Sequence, residues 1–349
     1  MSGALRRMGL SLLALALVGG YSLYGTVEAH ADPTTVDGAR AQLDQLEQQQ
    51  SEIDAQYIEV QVKLQDSQKA LDNARSDVES QQAKVAALKT QVSQIALQQY
   101  RSSGIDTTTQ LLVTDDVQSF LNGLSTMKKA SDNTAALLQD YQGAQADLAD
   151  LQKATQAKTA QISAEQASLA DLKKQSDSKV AAAQALLDKL TAAQRQQLAA
   201  AQAAANRQAA VATDTSRSAA RSAAPAIAVG PGGSARAITA LNFALSQVGK
   251  AYALGATGPN AYDCSSLTMN AYARAGVGLP RTSQAQFGVG QPVSLSQLAP
   301  GDLVFYYSGI SHVGIYIGNG MIVHAANPRT GVATAPVTSM PFMGGRRVA

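Results

Sequence analysis

The chain has no tryptophan, one cysteine and 5% aromatic residues in a length of 349. A single globule of that length ordinarily carries more aromatic bulk, so one large uniform core is excluded. One cysteine, Cys264, cannot form an internal disulfide and is too few for a cysteine-based zinc site. Proline and glycine are scarce in one half only. Of ten prolines, Pro33 stands alone and nine lie at or after Pro225. Between Gly38 and Gly230 there are three glycines, Gly104, Gly123 and Gly143. An excess of one sign of charge is also missing. The 28 Lys and Arg against 26 Asp and Glu leave +2, which does not suggest a nucleic-acid surface. A long helical half therefore precedes a loop-rich half.

The N-terminus has an export layout. Arg6 and Arg7 precede an apolar run from Met8 to Gly19, and Ala29-His30-Ala31 supplies small residues before Asp32. The run is short for a span of about 20 residues, so residues 1–31 are expected to be a cleaved signal peptide. The mature chain then keeps Cys264, His312 and His324 as its whole stock of Cys and His.

Residues 32–212 are expected to form a coiled-coil hairpin. From Leu46, alternate steps of four and three reach Ile53, Tyr57, Val60, Leu64, Leu71, Val78, Val85, Leu88, Val92 and Ile95. A second, more polar run goes from Leu137 through Leu148, Ile162, Leu172 and Leu186 to Leu190. Such a/d spacing, free of proline, predicts two helices of about 60 residues, each roughly 90 Å long. An antiparallel hairpin suits their equal lengths; parallel dimerisation is the alternative. The connector, about 102–130, contains the breakers Ser103-Gly104 and Asn122-Gly123 and is expected to be a small helical tip. Its apolar residues, among them Leu112, Val117, Phe120, Leu121 and Leu124, either cap the rod or dock a partner. Alanine-rich sequence after Ala199 can extend the second helix, and 213–235 reads as a flexible linker.

Residues 236–349 carry the chemistry. Cys264 opens a predicted helix, where free N–H groups and the helix dipole stabilise a thiolate. His312 and His324 fall on consecutive predicted strands joined by Gly318-Asn319-Gly320, a strong hairpin signal. One histidine can then act as base while the other orients it. Each residue alone is as readily a packing residue. Their concentration in one small domain favours nucleophilic catalysis over metal binding, since no Asp/Glu ligand spacing accompanies them. No cofactor is implied.

Five ordered blocks resemble the NlpC/P60 cysteine peptidases. They are Asp263-Cys264-Ser265-Ser266-Leu267, Pro280 to Gln286, Pro300 to Phe305, His312 to Gly318, and Ile322-Val323-His324-Ala325. The resemblance implies a papain-like α+β domain that cleaves peptidoglycan stem peptides, usually between D-glutamate, through its γ-carboxyl, and meso-diaminopimelate. By it, Cys264 is the nucleophile, His312 the base and His324 the orienting residue. Tyr252 then lies near the oxyanion or substrate, Asp263 can meet a stem-peptide amine, and Ser265 lines the same site. Ser266 replaces a usual glycine and is expected to be accommodated in the first helical turn. The layout is similar to cell-separation hydrolases of Gram-positive and actinobacterial envelopes, in several of which the coiled coil docks on a membrane division complex, FtsEX. The chain is therefore expected outside the cytoplasmic membrane, with the rod restraining the enzyme. The alternatives are a non-enzymatic cell-wall adaptor and an amidase using the same three residues.

Overall fold

The computed structural model describes residues 35–102, 117–201, 203, 204, 207 and 234–349. The expected signal peptide, Leu112 and most of the linker lie outside these residues, as do the side chains of Val117 and Phe120. Helix α1 (Val36–Ser102) and helix α2 (Val117–Lys189) form the rod. Their interiors contain no proline, and residues of good helix propensity predominate. Side-chain bonds between them fix an antiparallel register. Ser176 bonds Asp54 at 2.6 Å, Ser67 bonds Glu165 at 3.1 Å and Gln81 bonds the Ala144 carbonyl at 2.9 Å.

The heptad seam is where the spacing puts it. Beyond Leu64, covered residues of α1 recur at Ser67, Leu71, Ala74, Val78, Gln81, Val85, Leu88, Val92 and Ile95. On α2, Ala144, Ile162, Leu172, Ser176 and Leu186 are buried. Nearer the N-terminus α1 buries a second face as well. Asp54, Ala55 and Ile58 are buried off the seam, and Glu47 and Ser51 are half-buried. The spacing 47, 51, 54, 58 is one helical stripe, and it faces the C-terminal domain.

Two expectations about the rod need correction. Asn122-Gly123 does not break the helix, and residues 117–130 are part of α2 and not a separate tip. A glycine inside a helix costs only about 1 kcal/mol, which the long flanking runs absorb. Nor does the alanine-rich segment simply continue α2. The chain breaks at Leu190, and a new helical stretch occupies 192–201. Thr191 and Gln194 cap it reciprocally: Gln194 N–H donates to Thr191 Oγ1 at 3.2 Å, and Thr191 N–H donates to Gln194 Oε1 at 2.9 Å. Leu190 and Leu198 then pack on Ala39 at the start of α1.

The C-terminal domain is α+β. Helices α3 (Ala235–Ser246), α4 (Cys264–Arg274) and α5 (Ser283–Phe287) accompany a small parallel pair, β1 (Ala251–Tyr252) and β2 (Ala261–Tyr262). The main sheet is antiparallel in the order β3 (Gln291–Val293), β8 (Phe342–Arg347), β4 (Leu303–Tyr306), β5 (His312–Gly318), β6 (Met321–Ala325), β7 (Val332–Pro336). Alternation along the strands splits the apolar residues between two faces. Leu303, Phe305, Val313, Ile315 and Val323 pack on Leu267, Ala271 and Tyr272 of the helical layer. Val304, Tyr306, Tyr316 and Ile322 pack on the other face with Val293, Leu298 and Val337. The arrangement puts the start of α4 beside the start of β5.

Candidate active site

Cys264 is the first residue of α4, and Asp263 caps that helix. The Asp263 carboxylate accepts from Ser266 N–H at 2.8 Å, and Ser266 Oγ accepts from Asp263 N–H at 3.0 Å. Ser266 is fully buried in this capping box. It is accommodated by completing the cap. The Cys264 sulfur is held between the backbone groups on either side of His312. It lies 3.9 Å from the Ser311 carbonyl oxygen and accepts a hydrogen bond from Val313 N–H.

His312 and His324 meet directly. Nε2 of His312 is 2.7 Å from Nδ1 of His324, and the rings stand at 88° to each other. The β5–β6 hairpin makes this possible, with Asn319 (φ 49°) and Gly320 (φ 70°) at its turn. His324 sits diagonally across from His312 beside Gly314, where an added Cβ would lie 3.2 Å from His324 Cβ. Of the two tautomers of the pair, the one in which His312 Nε2–H donates leaves His312 Nδ1 free as an acceptor. That nitrogen is then available to take a thiol proton.

The other sequence-predicted residues divide. Tyr252 is buried and donates its hydroxyl to Asp54 of α1 at 2.6 Å. Asp263 is fully buried and engaged on both carboxylate oxygens. Arg281 bridges them and also donates to Ser265 Oγ at 2.9 Å, while Ser265 donates to Asp263 at 3.1 Å. Asp263 thus holds Arg281 and the helix start, and has no open face for an incoming amine. Gln286 donates to the carbonyls of Ser265 and Pro280, both at 2.9 Å, tying α5 to the nucleophile helix. Leu121 and Leu124, at the far end of the rod, are 52% and 43% exposed, and Met127 beside them is 49% exposed.

The rod is expected from the sequence to restrain the enzyme, but the sequence singles out no residue of α1 for this site; α1 covers it. Glu47 pairs with Arg329, Ser51 donates to Ser311 at 3.1–3.2 Å, and Asp54 receives Tyr252. A cavity of about 550 Å³ lies between α1 and the sheet, with His312 and His324 on its wall. Cys264, His312 and His324 are 4%, 3% and 6% exposed.

Burial sets the electrostatics. Burial, and after it the Asp263 carboxylate, push the Cys264 thiol up to about 12, against the pull of Val313 N–H; Asp54 adds to the rise. The helix N-terminus therefore does not yield a thiolate in this state, because burial outweighs it. Burial drives His324 down to about 4, and burial plus His324 drive His312 well below 6.5. Burial likewise raises Asp54, although hydrogen bonds from Ser176, Tyr252 and Gln50 oppose it. The site holds a protonated thiol beside two neutral imidazoles.

A helix-borne cysteine set against a two-histidine sheet pair defines the domain as papain-like. Residues 249–344 match the NlpC/P60 family, and the C-terminal domain belongs to that family. A probable endopeptidase of Corynebacterium glutamicum is 49% identical over 102 residues, 29% of this chain and 49% of that protein. A probable endopeptidase of Mycobacterium tuberculosis is 45% identical over 119 residues, 34% of this chain and 30% of that protein. The solved P60 domain of an antigen from M. avium subspecies paratuberculosis is 30% identical, covering 33% of this chain and 96% of its own, with a TM-score of 0.30. The chain spans half or less of the length of the two endopeptidases.

Proposed function

We propose that the chain is a secreted thiol endopeptidase that hydrolyses peptidoglycan stem peptides and is held latent by its own coiled coil. The observation that carries the reading is the Cys264 sulfur lodged between Ser311 and Val313, with His312 bonded to His324 at 2.7 Å. In the reaction, His312 Nδ1 takes the Cys264 proton and the sulfur attacks the scissile carbonyl carbon. The amide C–N bond breaks as His312 returns that proton to the leaving amine. Water, deprotonated by His312, then attacks the thioester, releasing the new carboxylic acid and restoring the thiol. His324 accepts from His312 Nε2–H throughout and stabilises the imidazolium.

The bond assigned is D-γ-glutamyl–meso-diaminopimelate, from the likeness of the domain to its family. Latency rests on α1: with Glu47, Ser51 and Asp54 in place, no substrate reaches the sulfur, and the thiol stays protonated. Export rests on the Arg6-Arg7, apolar and Ala29-His30-Ala31 pattern. The exposed Leu121, Leu124 and Met127 form an apolar end on the rod, and we assign them to docking on a membrane division protein, with docking lifting α1 off the site. Mass spectrometry of purified muropeptides treated with the mature protein carrying Ser51→Arg, which obstructs docking of α1, tests the reaction. Products with a new free glutamate γ-carboxyl are expected, and none with Cys264→Ala. Release of the stem from muramic acid would make the enzyme an amidase, and no cleavage after α1 is displaced would leave an adaptor.

A further inference from the structure

The two walls of the cleft under α1 differ in charge. The α1 wall carries three carboxylates, Asp44, Glu47 and Asp54. The wall from the C-terminal domain carries no carboxylate, and its single Lys or Arg is Arg329. Arg329 is spent on Glu47 in the covered state. As a latch this pair is weak, because the two side chains are 37% and 27% exposed, and exposed ion pairs contribute little. Its placement is nevertheless firm. Arg329 sits in the β6–β7 loop that follows His324. Asn327 Oδ1 accepts from Arg329 N–H at 3.1 Å and Thr330 N–H at 3.0 Å. Gly331 N–H bonds the Asn327 carbonyl and Ala326 N–H bonds the Gly331 carbonyl, each at 2.8 Å. A loop tied this closely carries the Arg329 backbone at a fixed position relative to the histidine pair, from which its side chain lines the same cleft.

We infer that Arg329 is a specificity residue that binds a carboxylate of the stem peptide, and that Glu47 occupies this carboxylate's place when α1 covers the cleft. The inference rests on the endopeptidase reading for its substrate class. Once α1 leaves, the wall keeps one unpaired cation beside the reacting groups, and a guanidinium takes a carboxylate in a two-pronged bond. A stem peptide offers two candidates near the scissile bond, the glutamate α-carboxylate and a diaminopimelate carboxylate. Both share the chemistry Arg329 reads.

The test uses the full mature chain carrying Cys264→Ala, which cannot turn over, and Ser51→Arg, which obstructs docking of α1. Calorimetry measures binding of L-Ala-γ-D-Glu-meso-diaminopimelate and of two analogues, one amidated on the glutamate α-carboxyl and one amidated on both free carboxyls of diaminopimelate. Arg329→Gln is expected to weaken the free acid about tenfold or more, and Arg329→Lys to recover part of the loss. For one analogue Arg329→Gln is expected to change nothing, and that analogue identifies the carboxylate. Equal losses for all three peptides, no loss for any, or no binding of any peptide would overturn the inference. The endopeptidase reading is judged separately, by whether the same released chain with Cys264 intact cleaves muropeptides.

Discussion

Tyr252 donates its hydroxyl to Asp54 at 2.6 Å, joining the end of β1 to a rod residue 198 positions earlier. Asp54 also accepts from Ser176 Oγ–H at 2.6 Å, so the second rod helix and the C-terminal domain converge on one carboxylate. Asp54→Ala leaves two buried hydroxyls without their acceptor, at a cost of about 1–3 kcal/mol. The mature chain should then cleave muropeptides some fivefold to a hundredfold faster, while Asp54→Asn, which still accepts, should do less. Unchanged rates in both variants would remove Asp54 from the latch.

The histidines should separate by role. In a released background, His312→Ala is expected to abolish turnover, as loss of a general base commonly costs 10²–10⁴-fold or more. His324→Ala should be milder and should be partly restored by His324→Asn, which can still accept from His312 Nε2–H. A silent His324→Ala would mean that another group orients His312.

Much of this site could be read from the chain. Cys264, His312 and His324 were conspicuous because His30, in the expected signal peptide, is the sequence's one other Cys or His, and Asn319-Gly320 announced the hairpin that joins the two strands. The heptads gave the rod seam because apolar residues mark it. The docking face was hidden for the opposite reason. Glu47, Ser51 and Asp54 repeat at helical spacing, yet polar residues on one stripe look like a solvated face. Their partners, Ser311, Tyr252 and Arg329, are about 200 to 280 residues away, and nothing local links them. The Thr191-Gln194 capping box was readable as a helix start, and its neglect produced the expectation of one continuous helix. Arg281 lay inside a recognised block, but its grip on Asp263 depends on the fold.

Acidification should weaken the domain. His324 is lowered from 6.5 to about 4 by burial, and burial together with His324 lowers His312 well below 6.5. The unfolded chain therefore takes protons first. Stability is full above pH 6.5 and falls between pH 6.5 and 4, by about 1.4 kcal/mol per pH unit for each such group. Thermal unfolding of the mature chain should show the decline, and His324→Gln should flatten it. Asp44, Glu47 and Asp54 work against this trend: burial raises each, so covering the site takes up protons as pH falls toward their ordinary values. A midpoint constant from pH 7 to 4 would contradict the buried neutral pair.

Leu121→Lys with Leu124→Lys should leave the helical content by circular dichroism unchanged, since both side chains are already exposed. In cells the pair should block cell separation or localisation. Normal separation and localisation would rule out docking at this end of the rod.

The chain has one cysteine, so a thiol reagent reports the active site alone. Alkylation of Cys264 by iodoacetamide, followed by mass spectrometry, compares the mature wild type with Ser51→Arg under native conditions. A thiol raised to about 12 beneath α1 should react slowly, and the variant should react at least tenfold faster with its helical content intact. Equal alkylation rates in the two proteins would contradict the cover of the site by α1.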